Sequence, residues 1–227
     1  MEYHIARTNP PVDDGFLVPQ DLIKTADRNL ARVLYHNPIN TKHMYSPTRL
    51  SFMETFIGIA TLVLVRAPFT SEQIILDNRR AAKKYLEYTL MLTLAGENTG
   101  GSTADECEVL YGRAGLLYAL LYLRNAFHDW SEEDRAPFLQ IISDATLAKL
   151  VDSIMAGGRG GGALLASEFE ERDVGQLPPL MWAWHGKRYL GAAHGVGQRD
   201  FFSFHRILVY FPRQPVFCKC FSAARLP

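Results

Sequence analysis

The stretch from Cys107 to Asp129 constrains the fold more than any other. Leu110, Ala114, Leu117, Leu120, Leu121 and Leu123 fall mostly on one face at helical spacing, the mark of an amphipathic helix packed on a core. Leu22, Ile23, Ala26, Leu30, Val33 and Leu34 predict another helix over Asp21 to about His36, broken by Asn37-Pro38. A further helix is expected from Thr48 to Ala67, ending before Pro68. Ser71 reads as the N-cap of a helix running to about Ala95. Ser131 reads as the cap of the last one. There Glu132, Glu133 and Asp134 suit the positive end of the helix dipole, and Pro137 is early enough to be tolerated. That helix is expected to run to about Ala156, with the tract Gly157–Gly162 ending it as a flexible connector. No segment alternates apolar and polar residues over several strands, so the expected class is all-α.

A 227-residue chain that is 48% hydrophobic can bury a sizeable core. Its longest apolar run, about Thr55 to Val65, falls well short of the roughly 20 residues a membrane-spanning helix needs. It reads instead as a buried core helix. Basic and acidic residues balance at 24 each, which leaves no electrostatic footprint for nucleic acid or an anionic membrane. Cys107, Cys218 and Cys220 are too few, and odd in number, for a disulfide framework. The N-terminal residues show no apolar signal core. A soluble protein of the reducing cytoplasm is expected, with peripheral association at the plasma membrane left open.

Three regions are expected. Residues 1–19, rich in Pro, Asp and Gly, form an irregular arm; residues 20–197 form the helical body; residues 198–227, with Phe201, Phe202, Phe204, Phe211 and Phe217, form a divergent tail. The stretch 157–186 is long for a connection and carries Trp182, Trp184 and His185. Gly112 and Gly115 flank a helix start in Tyr111-Gly112-Arg113-Ala114-Gly115, where close helix packing explains them as well as a ligand does. His185 and His194 sit among small residues that leave room for a ligand, and histidine transfers protons near neutral pH. A histidine satisfied within a Gly-rich turn is the plainer alternative. Glu108 could orient a histidine, or be a surface carboxylate. Cys218-Lys219-Cys220 lacks the second pair of ligands that a zinc site needs. The glycine tract lacks the G-K-[ST] ending of a phosphate loop.

Two segments together resemble the eukaryotic LanC-like (lanthionine synthetase C-like) family. Glu108-Val109-Leu110-Tyr111-Gly112-Arg113-Ala114-Gly115-Leu116-Leu117-Tyr118-Ala119-Leu120-Leu121 is similar to its Gly-x-x-Gly repeat. Leu180-Met181-Trp182-Ala183-Trp184-His185, continuing through Leu190-Gly191-Ala192-Ala193-His194-Gly195, is similar to its A-A-H-G segment and the loop before it. The resemblance covers about residues 107–197 and implies part of an α/α toroid, a double ring of helices. It also implies a zinc-dependent activity that adds a thiol, from glutathione or a peptide cysteine, to dehydroamino acids in peptides. Within it His194 matches the histidine assigned to proton transfer, and Glu108 matches an acidic position near that histidine. Arg113 and His185 lie in the matched motifs and are candidates for substrate binding.

The family's zinc ligands come from a cysteine in a later repeat and from a W-C-H-G motif, and neither pattern is present in this sequence. Zinc is thus expected for the family and no metal site for this chain. Tyr45-Ser46-Pro47-Thr48 stands where a first G-x-x-G turn would be, and the pattern is lost after Gly197. The chain is therefore expected to be C-terminally incomplete. A non-catalytic scaffold binding glutathione or a protein is the alternative. A glycoside-processing toroid is disfavoured, because Glu108 has no evident carboxylate partner.

Overall fold

The computed structural model describes residues 19–39, 50–95, 107, 112–127, 130–169, 177–184 and 187–188, with the side chains of Pro19 and Trp184 outside that description. Helices dominate these residues: α1 (Pro19–His36), α2 (Phe56–Arg66), α3 (Gln73–Ala95), α4 (Arg113–Ala126), the short α5 (Glu132–Arg135) and α6 (Asp144–Ala166). One minimal antiparallel pair follows, β1 (Ala183–Trp184) with β2 (Lys187–Arg188). The all-α expectation holds at this level. No described helix is long and apolar enough to cross a membrane.

The apolar run is the centre of the fold. Ile57, Ala60, Val63 and Leu64 of α2 are fully buried, as the length argument required. This helix packs along α3 on one side and α4 on another, α1 packs on α3, and α4 packs on α6. The predicted start at Thr48 is too early. Residues 51–55 form a turn in which Ser51 Oγ accepts from the N–H groups of Met53 and Glu54, both at 3.0 Å. Thr55 then caps α2 by accepting from Ile57 N–H at 3.2 Å. That turn lays the Phe52 carbonyl against Gly58, where a Cβ would stand 1.9 Å from the oxygen, so only glycine fits. Arg66 at the end of α2 forks onto Asp27 of α1, with Nε donating to Oδ1 at 2.7 Å and Nη2 to Oδ2 at 3.0 Å. Such bidentate pairing satisfies a carboxylate that is otherwise buried.

Two boundaries differ from expectation for local reasons. Helix α3 begins at Gln73, and the nearby hydroxyl that accepts a backbone proton is that of Thr70, from Glu72 N–H at 3.2 Å, not that of Ser71. The helix expected from Ser131 to Ala156 is two helices. Ser131 does cap, but α5 passes into a single 3-10 turn, Ala136–Phe138, and the chain bends before Ser143 caps α6 through Thr146 N–H at 3.2 Å. The bend lets Phe138 fold back onto the end of α4. Its ring centroid lies 4.8 Å from that of Phe127, which in turn lies 3.9 Å from Trp130. The Arg79 guanidinium covers this group, 6.0 Å from the Trp130 centroid and 5.9 Å from Phe138.

The larger correction concerns the glycine tract. Gly157–Gly162 does not end the helix, and α6 continues through it to Ala166. Five helical glycines forfeit roughly 4–5 kcal/mol against alanine, so propensity alone would break the helix here. Tertiary packing reverses the outcome. Gly157, Gly158, Gly161 and Gly162 are buried on one face, and the segment 177–182 runs across it. A Cβ on Gly158 would stand 2.4 Å from the Trp182 ring, and one on Gly162 would stand 2.6 Å from the Pro179 carbonyl oxygen. Met181 N–H donates to Gly158 O at 2.9 Å, and Trp182 Nε1 donates to Ile154 O at 3.1 Å. Burying one tryptophan is worth about 4–6 kcal/mol by area, which matches the propensity deficit.

Gly158→Ala is expected to destabilise the protein by about 1–3 kcal/mol through overpacking. Gly160→Ala, whose Cβ would meet nothing within 4 Å, is expected to stabilise it by up to about 1 kcal/mol. Urea denaturation of the two variants checks the contrast, and equal effects would refute the packing account.

Candidate functional site

The described part of the site is built on the middle of α6. Arg113 opens α4 directly after Gly112, the N-cap residue, whose extended backbone begins the matched glycine motif. Its side chain is turned inward and is only 4% exposed. Nη1 donates to Ser153 Oγ at 2.5 Å, and Ser153 is itself buried. The next residue, Ile154, offers the carbonyl that receives the Trp182 indole N–H. Adjacent residues of one helix thus hold the start of α4 and the strand segment that enters β1.

From Trp182 the chain enters β1, and Ala183 pairs with Arg188 while Trp184 pairs with Lys187. Arg188 reaches back to Glu168, just past α6. Nη1 donates to Oε2 at 2.6 Å, and Nη2 donates to Oε1. Arg188 holds the Glu168 carboxyl below the ordinary carboxylate range by hydrogen bonding and charge, and Glu168 raises Arg188 in return. The segment is therefore tied to α6 at both ends of its crossing.

Of the four site residues expected from sequence, Arg113 alone is among the described residues, and it is buried against Ser153. Glu108, His185 and His194 lie outside them, as do Cys218, Cys220, the 1–18 part of the arm and the tail. Trp182, Ser153, Glu168 and the glycine face were not expected to form a site. The spacing of Gly157, Gly158, Gly161 and Gly162, one and four residues apart, was the available signal, because it puts small residues on one helical face.

Zinc, implied by the resemblance, can be tested against the donors. Among the described residues no group of three or more His, Cys, Asp or Glu could hold a metal ion. The described cysteine, Cys107, is fully buried in the apolar core. These residues do not fit a zinc centre.

The model of the lanthionine synthetase C-like protein family matches residues 20–205. The chain belongs to the LanC-like family. It is 32% identical over 89 residues to the Danio rerio protein named glutathione S-transferase LANCL1, covering 39% of this chain and 18% of that protein. It is 27% identical over 161 residues to the LanC-like protein GCL1 of Arabidopsis thaliana, covering 68% of this chain and 30% of that protein. The chain thus spans less than a third of either relative.

The Glu168 carboxyl is depressed, so its pairing contributes fully above the ordinary carboxylate value of 4.5 and is lost as pH falls through the lowered value. Hydrogen exchange at Ala183 and Arg188 is expected to lose protection in that acid range, while the buried α2 amides keep theirs. Because the pair is exposed, added salt should mimic part of the effect. Glu168→Gln should abolish the pH dependence of the segment.

Proposed function

We propose that this LanC-like chain serves the addition of a thiol, from glutathione or a peptide cysteine, to dehydroamino acids in peptides or proteins. Its membership of the family, over residues 20–205, carries the reading. The similarity to a relative named as a glutathione S-transferase supports glutathione as the thiol. In this reading residues 20–197 contribute to an α/α toroid, flanked by the arm 1–19 and the tail 198–227. The protein works in the cytoplasm, with a peripheral location at the plasma membrane also available to it.

The thiol first gives its proton to water. The thiolate sulfur then bonds to Cβ of the dehydroamino acid, the C=C π pair moves toward Cα and its carbonyl, and an acid delivers a proton to Cα. His194 is the proposed acid, since an imidazole with a pKa of about 6.5 can give and regain a proton near neutrality. Glu108 is the proposed partner that orients it, and Arg113 and His185 are the proposed substrate-binding groups. No step is assigned to zinc, because the described donors do not fit it.

The test incubates the 227-residue chain with glutathione and a dehydroalanine peptide and follows the adduct by mass spectrometry, with and without a zinc chelator. Adduct formation that His194→Ala reduces on the order of a hundredfold or more is the expected result, and the chelator arm reads whether the activity of this chain needs zinc. An undiminished rate in His194→Ala removes that histidine from the mechanism. Stoichiometric glutathione binding without adduct favours the second reading, a non-catalytic binding scaffold.

A further inference from the structure

We propose that the aromatic group at the end of α4 is a binding site for a carboxylate carried on an apolar group, as at the C-terminus of a peptide that finishes in an apolar residue. It uses a part of the fold that the proposed reaction does not. Trp130 is 7% exposed, and its indole Nε1 is buried with no hydrogen-bond acceptor among the described residues. Arg135 is half-buried, and its Nε is orphaned in the same way. Both donors belong to one excursion of the chain, residues 130–138, which closes on itself with the Trp130 and Phe138 ring centroids 6.1 Å apart. The half-buried guanidinium of Arg79 stands over those two rings. Among the described residues it meets the ring faces and no carboxylate.

Buried N–H donors in folded proteins are nearly always paired, and a charge withdrawn from water without an anion costs more still. Two orphaned donors and an unneutralised cation around one set of rings describe the complement of an anionic acceptor. The planar guanidinium fork matches a carboxylate. Glu132, Glu133 and Asp134 stand exposed on α5 beside Arg135, and their charge weighs more against a dianion such as phosphate than against one carboxylate. Phe69 sets the apolar part of the ligand. Its ring meets Trp130 edge-on with centroids 6.3 Å apart, yet the residue is 61% exposed. It ends the 3-10 turn Ala67–Phe69, outside both α2 and α3, so its side chain can turn aside without disturbing either helix. Such a turn opens a way to the indole nitrogen, and an apolar arm beside the carboxylate then covers the ring.

The experiment follows the indole N–H resonances of the isotope-labelled full chain, with Trp130→Phe identifying the Trp130 signal. The Trp182 signal, whose N–H is committed to Ile154 O, is the control for the fold. N-acetyl-leucine, acetate, N-acetyl-leucinamide and inorganic phosphate are added at matched ionic strength. N-acetyl-leucine is expected to shift the Trp130 signal saturably and to leave that of Trp182 in place. Acetate is expected to bind on the order of tenfold more weakly, for want of the apolar arm, and the uncharged amide not at all. Arg79→Met keeps an apolar cover over the rings and removes the charge, and it is expected to weaken N-acetyl-leucine on the order of tenfold or more. No saturable shift with either carboxylate overturns the proposal, and so does an equal response to the amide or an unchanged affinity in Arg79→Met. Equal affinity for acetate overturns the apolar part of the ligand, and tighter binding of phosphate overturns the carboxylate. If Arg79→Met does not fold, Arg135→Met removes the other guanidinium and is expected to weaken binding in the same direction. An unchanged affinity there again overturns the site.

Discussion

The seat of Trp182 on the glycine face of α6 is the contact on which the described site depends. The ring lies where a Cβ at Gly158 would be, and its N–H is spent on Ile154 O. Remove it and the glycine tract loses the burial that keeps it helical. Among the described contacts the crossing segment then keeps Met181 N–H, the buried Met181 and half-buried Leu180 side chains, the Pro179 contact and the exposed Arg188–Glu168 fork. Helix and segment each supply what the other lacks: a flat backbone surface on one side, apolar cover on the other.

Beneath this contact lies a more ordinary helical core. Helix α2 is buried on most sides, and α3, α4 and α1 build outward from it. The aromatic group of Phe127, Trp130 and Phe138 fastens the end of α4 to the bend before α6. Arg124 adds a tie from α4 to the start of α6, with Nη1 donating to Asp144 Oδ1 at 2.6 Å. These contacts fix α6 relative to α4, which is why Arg113 and Ser153 can meet at all.

Much of this was legible in the residues. The periodic leucines of α4 and the apolar run of α2 identify their helices, because burial and 3.6-residue spacing leave a direct trace in sequence. The glycine tract misleads for a physical reason. Local propensity there points to a break, and a partner some 20 residues downstream reverses it. The split between α5 and α6 was less legible: Pro137, early enough in a helix to be tolerated, stands instead in the 3-10 turn that ends α5, and Phe138 then packs on Phe127 across the bend. Of the candidate site, the two family-like motifs were visible, and Arg113 is the one expected site residue among the described residues. Its partner Ser153 was not foreseeable, because nothing local distinguishes a helical serine that meets an arginine 40 residues away.

The glycine tract also orders events during synthesis. When residue 166 leaves the ribosome, the second half of α6 has poor intrinsic helicity, and the indole that will cover it has not yet emerged. At about 5–20 residues per second, the nascent chain spends on the order of a second as an α6 whose second half cannot hold its helix. The first half, capped by Ser143 and rich in leucine and isoleucine, can dock on α4 in that interval. The final turns of this helix are therefore folded by the segment that comes after them, so α6 matures from its N-terminal end.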